Sequence, residues 1–298
     1  MSVVVETVGL GKRYGQKWAL SECTLSIPEG RVVGLVGPNG AGKTTLLQLA
    51  VGLLTPSAGT LSVLGERPAA NPEALAKVGF LAQDSPAYAR LTVAQHLQMG
   101  RWLNPTWDEQ FASQRIDELG LDRGQRAGSL SGGQRAQLAL TLAVAKRPQL
   151  LILDEPVASL DPLARREFLQ TLMEVVAGGG VTVVMSSHLV GDLERICDYF
   201  IVLVGSRVAL SDDVENMLGS HCRLTGPLRD GSSLPASVTV IEESHTEKQS
   251  SFVVRSADPV LDPVWTIAPV TLDDIVLAYM KQARDQRLTA LPRLKVAG

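Results

Sequence analysis

Short apolar runs and helical stretches alternate along the first two-thirds of the chain. Cys23, Leu25 and Ile27 alternate with polar residues, which is the period-two pattern of a strand with one buried face. Four nearly continuous apolar runs are typical of strands buried on both faces of a parallel sheet: 32–36, 78–82, 150–153 and 181–185. Because helical stretches separate these runs, the pattern predicts βαβ crossovers and an α/β domain with a mainly parallel sheet.

Between about residues 85 and 148 the pattern becomes mostly helical. Thr92 with Gln95, and Thr106 with Glu109, have the spacing of capping boxes that open amphipathic helices. Ser131 can cap a long helix that ends before Pro148. We therefore predict a helical insertion at about 85–148 within the α/β domain.

The sequence pattern changes again beyond about residue 219. Turn-rich segments are followed by short β-like runs at 238–241 and 252–255, and Thr271 with Asp274 can cap an amphipathic helix. This predicts a main domain at 1–219 and a small α+β accessory domain with a tail at 220–298. The accessory segment carries no chemical signature of its own.

Composition narrows the class of protein. The 298 residues are 45% hydrophobic and 20% charged, as in a folded soluble protein, and the net charge of −3 gives no reason to expect nucleic acid as a partner. Runs of 18 or more apolar residues are absent, and the N-terminus lacks the basic and apolar regions of a signal peptide. The three scattered cysteines are predicted to be reduced thiols of a cytosolic protein.

A glycine-rich loop follows the apolar run at 32–36 and precedes a helical stretch. Residues 37–44 fit the G-x-x-x-x-G-K-[ST] phosphate loop, whose glycines let backbone N–H groups turn toward phosphate oxygens at a helix N-terminus. Lys43 is predicted to reach the β- and γ-phosphates, and the Thr44 hydroxyl to ligate Mg²⁺. The predicted nucleotide contacts here are Gly37, Pro38, Asn39, Gly40, Ala41, Gly42, Lys43, Thr44 and Thr45.

Two carboxylates end the apolar run at 150–153. In phosphate-loop enzymes an aspartate in this place helps to hold Mg²⁺, and an adjacent glutamate can polarise the attacking water. Asp154 is therefore a candidate metal ligand, and Glu155 is a candidate catalytic group.

The segment 130–134 reads Leu-Ser-Gly-Gly-Gln, and with it the chain resembles the ABC ATPase family over roughly residues 3–210. A serine and two glycines at a helix start form a second anion-binding surface. The resemblance implies a P-loop NTPase fold with a helical signature subdomain. It also implies a head-to-tail homodimer or heterodimer, in which Ser131, Gly133 and Gln134 of one subunit close over the ATP of the other.

Four more positions match motifs of that family. The resemblance implies that Tyr14 stacks on adenine, that Gln83 senses Mg²⁺ and faces the membrane partner, that Asp161 couples the two sites, and that His188 contacts the γ-phosphate. Val157 departs from the threonine or phenylalanine common at its position, but it is not a catalytic position. The implied catalytic set is Lys43, Glu155 and His188, and the implied metal set is Thr44, Gln83 and Asp154.

The expected function is that of an ATP-binding and ATP-hydrolysing ABC transporter subunit, soluble by itself and peripheral at the cytoplasmic face of the membrane. Segments 104–109 and 269–279 are similar to parts of bacterial ABC-2-type exporters, which favours export of an antibiotic, drug or lipid-like substrate through separate permease subunits. An importer ATPase with a C-terminal regulatory domain would share every ATP motif. A non-transport ABC ATPase of translation or DNA repair is a further alternative.

Overall fold

A six-stranded sheet forms the centre of the computed structural model, which describes residues 2–83, 87–231, 234–258, 260 and 262–290. Its strand order is β5-β6-β7-β3-β8-β9; the first five run parallel, and β9 pairs antiparallel with β8. The predicted α/β fold with a mainly parallel sheet is confirmed. The strands are β3 (Val32–Val36), β5 (Val78–Leu81), β6 (Leu150–Leu153), β7 (Thr182–Ser187), β8 (Tyr199–Val204) and β9 (Arg207–Asp213).

A three-stranded antiparallel sheet packs against one face of the central sheet. It has the order β2-β1-β4, formed by β1 (Val3–Tyr14), β2 (Lys17–Pro28) and β4 (Ala58–Val63). Only part of β2 was predictable from alternation. Repeated register shifts along β1 break its period of two, and so this strand carries no clean sequence signal.

Helices cover the sheets, and most begin where the sequence supplies a cap. Among the described residues, no helix is both long enough and apolar enough to cross a bilayer. The helices are α1 (Lys43–Ala50), α2 (Pro72–Ala76), α3 (Val93–Leu103), α4 (Glu109–Glu118), α5 (Gly132–Ala145), α6 (Pro162–Ala177), α7 (Val190–Leu193), α8 (Val214–Ser220) and α9 (Leu272–Ala290).

The predicted helix caps can be checked one by one. Thr92 and Ser131 each open a complete capping box, on α3 and α5, as predicted. The prediction for Thr106 is wrong, because Asp108 caps α4 by accepting a hydrogen bond from Phe111 N at 2.8 Å. The Phe111 N–H, and then the guanidinium of Arg147, hold the pKa of the Asp108 carboxyl below its ordinary value. A charged cap two residues later therefore displaces the threonine.

The C-terminal part forms a second antiparallel sheet with α9 against it. The order is β11-β12-β10-β13, and Thr271 and Asp274 exchange hydrogen bonds at the start of α9, as the sequence predicted. Residues 291–298 of the expected tail lie outside the described residues. The strands are β10 (His221–Pro227), β11 (Val238–His245), β12 (Gln249–Ser256) and β13 (Thr266–Pro269).

One apolar core extends from the main domain into the C-terminal sheet. Alternate residues of the central strands face opposite layers: Val33 packs toward α1 and the β2-β1-β4 sheet, whereas Val32 packs toward α5 and α6. The second layer also contains Val253 of β12 and Val276 of α9. This shared core joins the two parts of the chain, whose division at residue 219 stays a proposal.

A buried histidine, His221, lies at the start of β10, where the accessory sheet begins. His221 Nδ1 lies 2.8 Å from Met217 O, so that Nε2, at 3.2 Å from the Tyr279 hydroxyl, is left to accept a hydrogen bond. Burial lowers the pKa of His221, and Arg255 lowers it further, while the contact with Met217 and the charge of Asp212 oppose this.

We expect acid to destabilise the fold through His221. Below the unfolded-state pKa of about 6.5, the unfolded chain binds a proton that the folded chain excludes, so that the free energy of unfolding falls as the pH drops toward the folded-state pKa. Urea unfolding across that window measures the slope. His221→Gln should flatten it, because glutamine does not bind a proton in this range. An unchanged slope in His221→Gln would refute this assignment.

Candidate nucleotide-binding site

The phosphate loop joins β3 to α1, and its glycines hold conformations that other residues rarely adopt. Gly42 has φ +107°, and a Cβ there would lie 2.4 Å from Ala19 O; Gly40 has φ +78°. Ala41 N donates to Pro38 O at 3.0 Å, which tightens the turn. These conformations favour glycine at both positions, as the tight turn of a phosphate-binding loop requires.

A cavity of about 470 Å³ opens above this loop. It brings together predicted residues from distant parts of the sequence and adds two that sequence reasoning missed, Lys17 and Ala19. The predicted residues that line it are Tyr14, Asn39, Gly40, Gly42, Lys43, Thr44, Thr45, Gln83, Glu155 and His188.

Three ionisable groups form a chain of contacts at the bottom of the cavity. Glu155 Oε1 lies 3.4 Å from Lys43 Nζ, and its Oε2 lies 3.2 Å from His188 Nδ1. Lys43 also donates to Gly37 O at 2.8 Å. Lys43 and Glu155 are only 5% and 10% exposed, so that the pair is poorly screened by water. A phosphate entering the cavity would compete with Glu155 for Lys43.

Ser186, at the end of β7, holds the two carboxylates in place. Its Oγ donates to Asp154 Oδ1 at 2.7 Å and accepts from Glu155 N at 2.8 Å. Asp154 is buried below the cavity and does not line it, while Glu155 has a positive φ of 45° and turns its side chain inward. The sequence feature that could have pointed to Ser186 is the pair of serines between the apolar run at 181–185 and His188.

Lys17 stands opposite Tyr14 because β1 and β2 form a hairpin. The two are cross-strand partners across a two-residue turn that contains Gly15 with φ +58°. The Tyr14 ring is half exposed, and Lys12 Nζ lies 5.6 Å from its centroid. An exposed aromatic face beside two cations is suited to stacking on a base that carries phosphates.

The signature residues and Asp161 lie outside the cavity. Ser131 and Gln134 cap α5 and are exposed, and Asp161 caps α6 by accepting from Leu163 N and Ala164 N. A Cβ on Gly133 would lie 2.9 Å from Ala164 Cβ, so this glycine permits close packing of the two helices. These residues form a separate surface.

Pro38 and Ala41 face away from the nucleotide cavity. They line an outer cavity of about 530 Å³, whose opposite wall is formed by α9 with Leu277, Met280 and Arg284. Asn39 and Gly40 line both cavities. The tip of the phosphate loop is therefore a thin wall between them.

Oxygen donors at the site suit a small hard cation. Thr44 and Gln83 line the cavity with a hydroxyl and an amide, and Asp154 lies beneath it. Within the described residues, no group of three or more His, Cys, Asp or Glu could hold a metal unaided. Mg²⁺ fits such a site because it takes few protein oxygens and completes its shell with phosphate and water.

Comparison with known proteins gives matches over the main domain. A family model described as ABC transporter matches residues 20–158. The chain is 34% identical over 216 residues to the Nod factor export ATP-binding protein I of Rhizobium johnstonii, covering 69% of this chain and 68% of the relative. It is 35% identical over 202 residues to the thiamine import ATP-binding protein ThiQ of Shigella flexneri, covering 65% and 86%.

A solved structure of an ABC transporter subunit also resembles this chain in fold. An ATP-binding subunit of an ABC transporter superposes with a TM-score of 0.65 at 28% identity, covering 72% of this chain and 91% of that one. The similarity therefore includes the arrangement of helices and strands over most of this chain.

Proposed function

The chain belongs to the ABC transporter family as an ATP-binding subunit that hydrolyses ATP, and on this premise we propose that it drives export through separate membrane subunits. The observation that carries the proposal is the distribution of the matches. About a third of this chain and a third of the Nod factor export relative lie outside their common region, whereas the thiamine import relative is matched over 86% of its length. The exporter thus has room for an accessory part like the one formed by β10–β13 and α9.

Import is the second candidate. The thiamine import relative is as similar to this chain as the exporter is, at 35% identity. The accessory sheet would then act as a regulatory domain on an import ATPase. The direction of transport must therefore be decided by experiment.

We further propose a head-to-tail dimer as the working unit. The N-terminus of α5 is exposed and carries Ser131, Gly133 and Gln134, yet it does not line the cavity of its own subunit. A second subunit that places this surface over the γ-phosphate would complete the site. ATP would then lie between two subunits, and its hydrolysis would release them.

The contacts inside the cavity suggest the order of events. When ATP enters, its γ-phosphate takes Lys43 from Glu155, and the freed carboxylate orients the attacking water. His188 and the Ser131 of a second subunit contribute to stabilising phosphate charge.

The remaining lining residues would hold the metal and the base. Thr44, Gln83 and Asp154 would hold Mg²⁺, which supplies charge neutralisation at the phosphates when bound. Tyr14 would stack on the adenine.

An exposed apolar groove is the proposed docking site for the membrane subunit. A groove of about 360 Å³ runs between α3, α5 and the end of α1, and Leu53, Leu75 and Leu103 line it. Their exposures of 64%, 46% and 71% are unusual for leucine, and Trp102 beside them is 74% exposed. A short amphipathic helix from a permease fits such a groove. The subunit would then be peripheral at the cytoplasmic face of the membrane.

Leu103→Asp should weaken that docking. A charge in the apolar groove is expected to lower the recovery of the chain with its membrane partner by about tenfold, the size of a modest hot spot. ATP hydrolysis by the isolated chain should change less than about twofold, because Leu103 lies on α3, away from the cavity. Leu218→Asp, on a leucine of α8 that is 40% exposed and does not line the groove, is the control. Equal recovery of both variants would contradict the assignment.

Reconstituted transport tests the proposal of export. The membrane protein that co-purifies with the chain is placed in vesicles with the ATPase subunits outside, and ATP is added outside. An exporter carries its substrate away from the ATPase side, into the vesicle, whereas an importer carries it out of the vesicle. Outward movement of the cargo, or co-purification with a substrate-binding protein, would overturn export in favour of import.

A further inference from the structure

An ion pair connects α6 and α7, the helices that follow β6 and β7 along the chain. Arg165, in the first turn of α6, places Nη1 at 3.2 and 3.1 Å from the two carboxylate oxygens of Asp192 on α7. Their side chains are 25% and 18% exposed. The pair is more buried than the surface pairs that contribute little, and its attraction is less screened by solvent.

Each partner is fixed to a residue of the proposed site. Arg165 N donates to Asp161 O at 2.9 Å, in the same turn that the Asp161 side chain caps. Asp192 lies four residues after His188, in the short helix α7, whose Val190 and Leu193 are buried in the shared core. A shift of His188 would therefore move Asp192, and a shift of Arg165 would move Asp161.

The pair has a donor that this arrangement does not use. A single nitrogen, Nη1, contacts both oxygens of Asp192, while Arg165 Nε is buried without a hydrogen-bond partner. Arginine and carboxylate pair most strongly when two nitrogens meet two oxygens. The two-nitrogen geometry would need Asp192 to move relative to Arg165, so that Nε could join the pair.

We propose that Arg165 and Asp192 are positioning residues, which transmit contact between ATP and His188 to the loop at Asp161. When His188 moves toward the γ-phosphate, α7 carries Asp192 into the two-nitrogen arrangement and Arg165 draws the start of α6 with it. The surface that faces the second subunit is thereby adjusted to the presence of ATP. This inference rests on the proposed roles of His188 and Asp161.

The test compares Arg165→Gln, Asp192→Asn and the exchanged pair Arg165→Asp with Asp192→Arg. We expect each single variant to lower kcat about tenfold and to reduce the Hill coefficient for ATP toward one, with ATP affinity within about twofold of the wild type. The exchanged pair should recover kcat to within about threefold. Asp192→Asn preserves side-chain shape, so it remains informative if Arg165→Gln folds poorly, and rates are taken per folded subunit.

The control is Arg31→Gln. Arg31 has a similar exposure of 31% and pairs with Asp198 and Asp213, away from the cavity. A purely structural role for Arg165 would give both variants the same pattern, in which the thermal midpoint falls and kcat and the Hill coefficient remain unchanged. That pattern, or an exchanged pair no better than the single variants, overturns the inference.

His188→Ala separates this inference from the proposed function. If His188→Ala keeps the wild-type rate, the proposed role of His188 fails, and transmission from it fails as well. If His188→Ala loses activity while the Arg165 and Asp192 variants keep theirs, only the positioning pair is refuted. Loss in all three, with recovery in the exchanged pair, supports both.

Discussion

Replacing Glu155 with glutamine is expected to lower ATP turnover by about 100-fold or more, the scale of losing a positioned catalytic group. Glu155 is the one carboxylate that lines the cavity in the described part of the chain, and it contacts both Lys43 and His188. Glutamine keeps the shape of the side chain but cannot accept a proton from water. It also removes the negative charge that competes with phosphate for Lys43, so ATP should bind at least as tightly.

The same variant should accumulate as an ATP-bound dimer. Hydrolysis is the step that releases the subunits in the proposed cycle, so a subunit that binds ATP without cleaving it stays associated. Phosphate release measures turnover, and light scattering with ATP measures the dimer. Glu215→Gln, on an exposed glutamate of α8, should behave as the wild type does. Turnover near the wild-type rate in Glu155→Gln would remove Glu155 from its catalytic role.

Gly37→Ala is expected to weaken ATP binding by about 100-fold or more. A Cβ at this position would lie 2.1 Å from Leu203 O, a main-chain atom of β8 that is held in the central sheet. The phosphate loop must move instead, which displaces its N–H groups and the Lys43 contact with Gly37 O. Losing one or two hydrogen bonds to charged phosphate, at about 1.5–3 kcal/mol each, accounts for the size of the effect.

Overpacking at Gly37 should also lower the free energy of unfolding by about 1–3 kcal/mol. Gly219→Ala is the matched control, because a Cβ there meets no atom within 4 Å. Isothermal titration with ATP and urea unfolding of both variants separate the two effects. Binding within about threefold of the wild type in a folded Gly37→Ala variant would show that the loop tolerates the displacement.

The sequence predicted best where structure is local. The phosphate loop and the caps at Thr92 and Ser131 depend on residues a few positions apart, and the buried strands are continuous apolar runs. These patterns can be recognised without knowing how the rest of the chain folds. Four of the six strands of the central sheet could therefore be located from them, whereas β9, which pairs antiparallel with β8, could not.

Features that depend on distant partners escaped prediction. Asp108 replaces Thr106 as a cap because Arg147, far along the chain, stabilises its charge. Ser186 acquires its role only when β7 lies beside β6, and Lys17 enters the cavity only through the β1-β2 hairpin. The extension of the core into the accessory sheet could not be predicted from the sequence either. Alternation shows which side chains of a strand are buried, but not which part of the protein they pack against.

The thin wall between the two cavities has a thermodynamic consequence. Asn39 and Gly40 separate the nucleotide from the outer cavity formed with α9, so that any molecule or chain segment that enters the outer cavity and changes the conformation of this wall alters ATP affinity by some factor. Linkage then requires ATP to alter the affinity of that occupant by the same factor. Titrations of ATP with and without that occupant, and of the occupant with and without ATP, would therefore measure one coupling free energy from either side.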